Sequence, residues 1–138
     1  MPQDAIYQGV ADELAIRNLI AELAQSADDG DLDDYIQLFS EDAVWGGSGF
    51  GERKGHEEIM AGAVERRASG TSGPGTHTRH VITTTTVRMG GDRASARSIF
   101  HFYASTDATP THQIMGVYDD EFLRTEAGWK LSRRTISR

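Results

Sequence analysis

The sequence predicts an α+β domain, with helices packed on a curved, mostly antiparallel sheet. Three observations carry that expectation. Apolar residues recur at helical spacing through the first part of the chain. Long segments rich in Val, Ile and Thr occupy the last part. Short Gly-containing turns join those segments, as they join antiparallel neighbours. Helices first and a strand meander after is the α+β pattern. A chain of 138 residues fits one domain, here 1–138, and is long enough to bury a real core.

The clearest helix runs from about Ala11 to Ala27. Ile16, Leu19, Ile20, Leu23, Ala24 and Ala27 share one stripe, with Glu13, Arg17 and Glu22 on or near the other side. Asp28 continues on the shoulder of that stripe while Asp29 points away, so Asp28 can look into the protein. Asp28-Asp29-Gly30-Asp31 stops this helix and starts the next. Gly30 suits a left-handed C-terminal position and Asp31 an N-cap. A short second helix is expected through Tyr35, Ile36, Leu38 and Phe39. A turn at Ser40-Glu41-Asp42 follows, then a short strand, Ala43-Val44-Trp45, that dies in Gly46, Gly47, Gly49 and Gly51. Gly55 leads a third helix, His56 to about Ala68, patterned by Ile59, Met60, Ala63, Val64 and Arg67.

Residues 69–75 form the plainest loop. Four long strands come after it: Thr78–Met89, Arg93–Ser105, Gln113–Arg124 and Trp129–Ser137. In the second of these, Ala94, Ala96, Ser98, Phe100 and Phe102 share a face, and Ile99, His101 and Tyr103 share the other. Four long strands and three helices can enclose a pocket, the natural place for function.

Composition excludes several classes. Lys and Arg number 14 against 21 Asp and Glu, a net charge of −7, which repels nucleic acid and anionic membranes. Cysteine is absent, so disulfides, thiolate metal sites and thiol nucleophiles are absent too. No apolar run is long enough to span a bilayer. The opening Met1-Pro2-Gln3-Asp4 predicts no signal peptide, and the cytoplasm is the expected location. His77 and His80, three apart on one strand, would point to opposite faces. The five histidines therefore predict no metal site, and no cofactor is expected. His56 and His112 read as surface or loop residues. The glycine run 46–51 lacks the Gly-Lys-Ser/Thr ending of a phosphate loop and reads as a lid over the pocket mouth.

The order of landmarks resembles the SnoaL-like proteins of the nuclear transport factor 2-like superfamily. Ile16-Arg17-Asn18-Leu19-Ile20, Asp28-Asp29-Gly30-Asp31 and Leu38-Phe39-Ser40-Glu41-Asp42-Ala43-Val44-Trp45 are similar to its opening. Gly55-His56-Glu57-Glu58-Ile59 is similar to its third helix, and Arg79-His80-Val81-Ile82-Thr83 to its first long strand. Gly91-Asp92-Arg93-Ala94, Tyr118-Asp119-Asp120-Glu121-Phe122 and Gly128-Trp129-Lys130-Leu131 are similar to its hairpin and last two strands. The resemblance implies a cone-shaped α+β barrel, usually dimeric or trimeric. It also implies a wide functional menu, including dehydratases, isomerases, polyketide cyclases, oxygenase small subunits and non-catalytic modules, so the site must be argued by residue.

The sharpest pair is Asp28 with His80. In scytalone dehydratase, bile-acid dehydratases and lindane dehydrochlorinase, an Asp at the end of the first helix pairs with a His on the first long strand. Asp28 and His80 resemble those positions. A buried carboxylate fixes an imidazole's tautomer and favours its charged form, leaving the other nitrogen free to move a proton. The plainer alternative is a solvated helix-end carboxylate and a half-buried strand histidine.

Arg134 resembles the dehydrochlorinase's active-site arginine and could hold a developing oxyanion. Strand alternation, however, sends Arg133 inward with Trp129 and Leu131 unless a bulge reverses the phase. His101 resembles a second histidine of scytalone dehydratase, a donor across the cavity, with a solvent or interface position as its alternative. Tyr103 and Tyr118 are candidate hydroxyl donors, and Leu23 and Trp45 candidate substrate contacts.

Departures from the pattern limit what transfers. Leu23 stands where the bile-acid dehydratases have Tyr, and Thr84 where many members have Asn. Ala27 and Gly47 stand where scytalone dehydratase has its tyrosines. No substrate is inherited, and Leu23 favours an apolar ring compound such as a polyketide, steroid or aromatic-degradation intermediate. Two readings follow. One is a cofactor-independent dehydratase or isomerase working through His80 and Asp28 on a small hydrophobic substrate, as a homodimer or homotrimer. The other is a non-catalytic ligand-binding or assembly module, or the small subunit of a ring-hydroxylating oxygenase.

Overall fold

A computed structural model describes residues 2–138. Three helices and six strands follow in the order α1 (Pro2–Asp29), α2 (Leu32–Gln37), β1 (Phe39–Gly47), β2 (Gly51–Lys54), α3 (Gly55–Ala68), β3 (Arg79–Gly90), β4 (Arg93–Ala104), β5 (Thr111–Thr125) and β6 (Gly128–Ser137). The strands form one sheet in the order β2-β1-β6-β5-β4-β3. Every neighbouring pair is antiparallel except β1 with β6. The expected α+β architecture, helices on a curved and mostly antiparallel sheet, is the one observed.

The α1 stripe is the core seam. Ile16, Leu19, Ile20 and Leu23 are buried in one core with Ile59 and Ala63 of α3 and the inward-facing residues of the long strands. The helix begins earlier than its buried stripe, at Pro2, a residue suited to a first turn. In that added length Ile6, Val10 and Leu14 make a second apolar stripe, but it stays exposed.

Two boundaries differ from expectation. The second helix ends at Gln37, and Phe39 opens β1. The reason is pairing: Leu131 N–H donates to the Leu38 carbonyl at 2.9 Å, and Phe39 registers with Leu131 while Val44 registers with Arg133. The residues between Phe39 and Val44 bulge out of that ladder, so Ser40-Glu41-Asp42 turns inside a strand rather than before one. The strand β2 was not foreseen. Its four residues are polar and mostly exposed, and only its antiparallel pairing with β1 defines it. Gly30 is not left-handed. A β-carbon there would meet the Ser26 backbone at 2.8 Å, so close approach, not φ, requires glycine. Asp31 does cap α2, accepting from Asp33 N–H at 2.7 Å.

The inward face of the sheet is built by alternation. Ala94, Ala96, Ser98 and Phe100 of β4 and Tyr118, Asp120 and Phe122 of β5 are buried. Gly116 belongs to the same face. A β-carbon there would stand 2.6 Å from the Phe100 ring, so its absence makes room for the Phe100–Tyr118 stack, whose centroids are 4.2 Å apart. In β6 the alternation slips. Leu131 registers with Phe122 and Arg133 with Glu121, leaving Ser132 as an extra residue whose hydroxyl donates to the Glu121 carbonyl. This bulge turns Arg134 and Ile136 inward and Arg133 outward.

Candidate active site

Between α1, α3 and the inner sheet face lies a cavity of about 110 Å³. Leu23, Ala24 and Ala27 supply the α1 wall, and Phe100, Phe102, Ile114 and Ile136 the floor. Trp45 and Phe50 close another side, with Ser72 and Thr71 from the loop after α3. Besides the Thr71 and Ser72 hydroxyls, the polar groups in this apolar lining are Tyr35, Arg66, His80, Tyr118 and Arg134.

Asp28 sits one residue before the end of α1 and is buried, while its neighbour Asp29 reaches outward to Arg79 at 2.7 Å. Its carboxylate is satisfied by one residue. Oδ1 lies 2.7 Å from His80 Nδ1, and Oδ2 accepts the His80 backbone N–H at 2.9 Å. Since a carboxylate only accepts, Nδ1 carries the proton. The other ring nitrogen, Nε2, has no hydrogen-bond partner among the described residues and is not sealed from solvent, on a ring that lines the cavity. Phe102, directly across from His80 in the β3–β4 ladder, packs its ring 4.7 Å away.

A carboxylate at a helix C-terminus opposes the helix dipole. Arg67 of α3 answers it by donating to the Ser26, Ala27 and Gly30 carbonyls at 3.0, 3.4 and 2.7 Å. The α1 terminus is thereby held where Asp28 meets His80.

Arg134 is buried and clasps Asp120 across the β5–β6 ladder. Nε and Nη2 donate to the two carboxylate oxygens at 2.8 and 2.9 Å, the forked geometry that suits this pair. Its guanidinium carbon stands 3.7 Å over the Tyr118 ring. Burial works against the Arg134 charge, but Asp120 outweighs it and holds the guanidinium protonated. Burial pushes the Tyr118 hydroxyl up to about 12, so it stays a neutral donor.

His101 and Tyr103 do not reach the cavity. Alternation along β4 turns Phe100 and Phe102 inward and puts both of them on the outer face. There His101 Nδ1 lies 2.9 Å from His112 Nε2, and the Tyr103 ring stands edge-on to His112. His112 is thus a surface residue, exposed on β5. His56, at the start of α3, is half-buried with Nε2 donating to the Phe39 carbonyl at 2.9 Å. His77 precedes β3 in a left-handed conformation. Among the described residues no three His, Asp or Glu side chains group so as to hold a metal ion, and no helix is long and apolar enough to cross a membrane.

Phe100, Phe102, Asp120 and Arg66 are among the lining or supporting residues that the sequence reading did not name as site residues. Phe100 and Phe102 share the inward face named from the sequence, and Asp120 alternates with Tyr118 and Phe122. Arg66 falls one helical repeat of seven after buried Ile59.

Residues 8–135 match the model of the SnoaL-like domain. The chain belongs to this family. An uncharacterized protein of Mycobacterium tuberculosis, Rv2910c, is 29% identical over 128 residues, covering 91% of this chain and 84% of its own. Among solved structures, a nuclear transport factor 2-like protein with a cystatin-like fold from Novosphingobium aromaticivorans superposes with a TM-score of 0.85 at 28% identity, covering 97% of this chain and 86% of that one. A protein from the same organism, provisionally named an aromatic ring hydroxylase, gives 0.77 at 30% identity and covers 93% and 89%. A provisionally named scytalone dehydratase from that organism shares the fold at 15% identity, with a TM-score of 0.72 and coverage of 93% and 84%.

Proposed function

We propose that the protein is a cofactor-independent lyase or isomerase that moves a proton on a small apolar ring compound. One observation carries the reading: Asp28 takes both the ring Nδ1 and the backbone N–H of His80, leaving Nε2 as a free base on the cavity wall. In this mechanism Nε2 accepts the proton from a carbon next to a carbonyl. The C–H electron pair becomes the C=C bond of an enolate, and the carbonyl oxygen gains charge. Asp28 stabilises the imidazolium that forms. The Tyr118 hydroxyl and the Arg134 guanidinium are the donors for the oxygen. Dehydration follows when His80 returns its proton to a β-hydroxyl, which leaves as water; isomerisation follows when it returns the proton to another carbon.

The test is turnover of a panel of cyclic β-hydroxyketones, followed by the absorbance of the conjugated product. Wild type is expected to convert a member of the panel, and His80→Ala and Asp28→Asn to lose that activity while melting as folded proteins. Full turnover by His80→Ala would sink the mechanism.

The likeness to the provisionally named ring hydroxylase favours a second reading, a subunit of a larger oxygenase, which would show as a stable partner on co-purification. The exposed Ile6, Val10 and Leu14 stripe and the outer-face residues Val81 and Met115 support a homo-oligomer, which light scattering on the purified chain would weigh.

A further inference from the structure

The cavity contains two guanidiniums in opposite electrostatic situations. Arg134 is answered by Asp120 on two hydrogen bonds. Arg66 lines the same cavity, yet among the described residues no carboxylate lies within ion-pair distance of it. The adjacent acid on its helix, Glu65, is committed to Arg53 at 2.8 Å. The other anionic side chain at the site, Asp28, is spent on His80. Arg66 instead lies over the Trp45 ring, its guanidinium carbon 4.7 Å from the centroid. That contact sets the guanidinium against the ring, but it neutralises no charge. Beside it the buried Tyr35 hydroxyl feels both burial, which raises its pKa, and the Arg66 charge, which pulls it back.

A half-buried cation in an apolar wall is unfavourable until an anion completes it. A guanidinium set against an indole still has N–H donors to offer, matched to a two-oxygen anion. Much of the wall is hydrocarbon, with Leu23, Phe50, Phe100, Phe102, Ile114 and Ile136 on it. We propose that Arg66 is the anion anchor of this cavity and that its ligands are aromatic or alicyclic carboxylic acids, with the carboxylate on Arg66 and the ring on the phenylalanine wall beside His80. The inference deepens the lyase or isomerase reading by naming a substrate class and rests on it for what His80 then does; the binding step is independent of that chemistry.

The experiment is calorimetric titration with 2-naphthoate and its neutral isostere 2-naphthamide. Wild type is expected to prefer the carboxylate by about tenfold or more, the scale of a charge-assisted hydrogen-bonded pair. Arg66→Met should remove the preference and Arg66→Lys should keep part of it. Equal binding of the two compounds by wild type, no binding of either, or a preference that survives in folded Arg66→Met would overturn the proposal. A retained preference with no proton transfer at His80 would leave the anchor standing and remove the catalytic reading. Proton transfer on neutral ketones without the preference would do the reverse.

Discussion

Asp120→Asn should destabilise the protein sharply, because it strands the Arg134 charge inside the sheet. The two side chains are 0% and 7% exposed, and they meet through two bonds of 2.8 and 2.9 Å. An asparagine could accept one of those bonds but would present its own N–H groups to the second donor. Breaking a buried pair on one side costs about 3–5 kcal/mol. The lower end applies here, since Arg134 borders the cavity and can recruit water. For 138 residues, an unfolding entropy of about 2.1 cal/mol/K per residue sums to about 0.29 kcal/mol/K. A loss of about 3 kcal/mol then lowers the melting temperature by about 10 °C. Calorimetric melts of wild type and variant read this directly. The double variant Asp120→Leu with Arg134→Met removes both charges and should recover most of the loss. A single variant melting within about 3 °C of wild type would refute the claim that Asp120 is what keeps Arg134 in the wall.

Two further predictions concern packing and acid stability. Gly116→Ala should cost about 1–3 kcal/mol in urea unfolding, because the added carbon would stand 2.6 Å from the Phe100 ring and must push the Phe100–Tyr118 stack into the cavity. Asp12 accepts from Arg124 and Trp129, and the Arg124 guanidinium first of all lowers its carboxyl from 3.8 to about 2. A carboxylate depressed in the folded state stabilises it above the unfolded pKa and loses that contribution as pH falls through the folded one. The Asp12 contribution should therefore fade between about pH 4 and 2, and Asp12→Asn should flatten that part of the unfolding free energy against pH.

The parts of the fold that follow from local periodicity were legible. The α1 stripe, the inward alternation of Ala94 to Phe102, and the turns at Gly90-Gly91 and Gly128 all stand where period and turn chemistry put them. Asp28 and His80 lie 52 residues apart, and no pattern in the chain joins them; only family resemblance suggested that meeting. What escaped depended on partner strands. Ser132 reads like any strand residue, yet its bulge against Glu121 decides that Arg134, not Arg133, enters the cavity. Phe39 reads as helical until Leu131 pairs beside it. His101 and Tyr103 were candidates by likeness, although their own alternation with Phe100 and Phe102 already assigned them to the outer face. Arg66 stands seven residues after buried Ile59, but its place in the cavity wall depends on Trp45 of β1, over which its guanidinium lies.

Proton abstraction from carbon by His80 is the step on which the proposed function rests. The most direct measurement is deuterium wash-in from D₂O at the carbon next to the carbonyl of 2-tetralone, followed by proton NMR. Wild type should exchange that position well above the buffer rate, by roughly 10²–10⁴-fold in the general-base contribution, and His80→Ala should fall to the buffer rate. Exchange by His80→Ala as fast as by wild type, or wild type no faster than buffer, would contradict it.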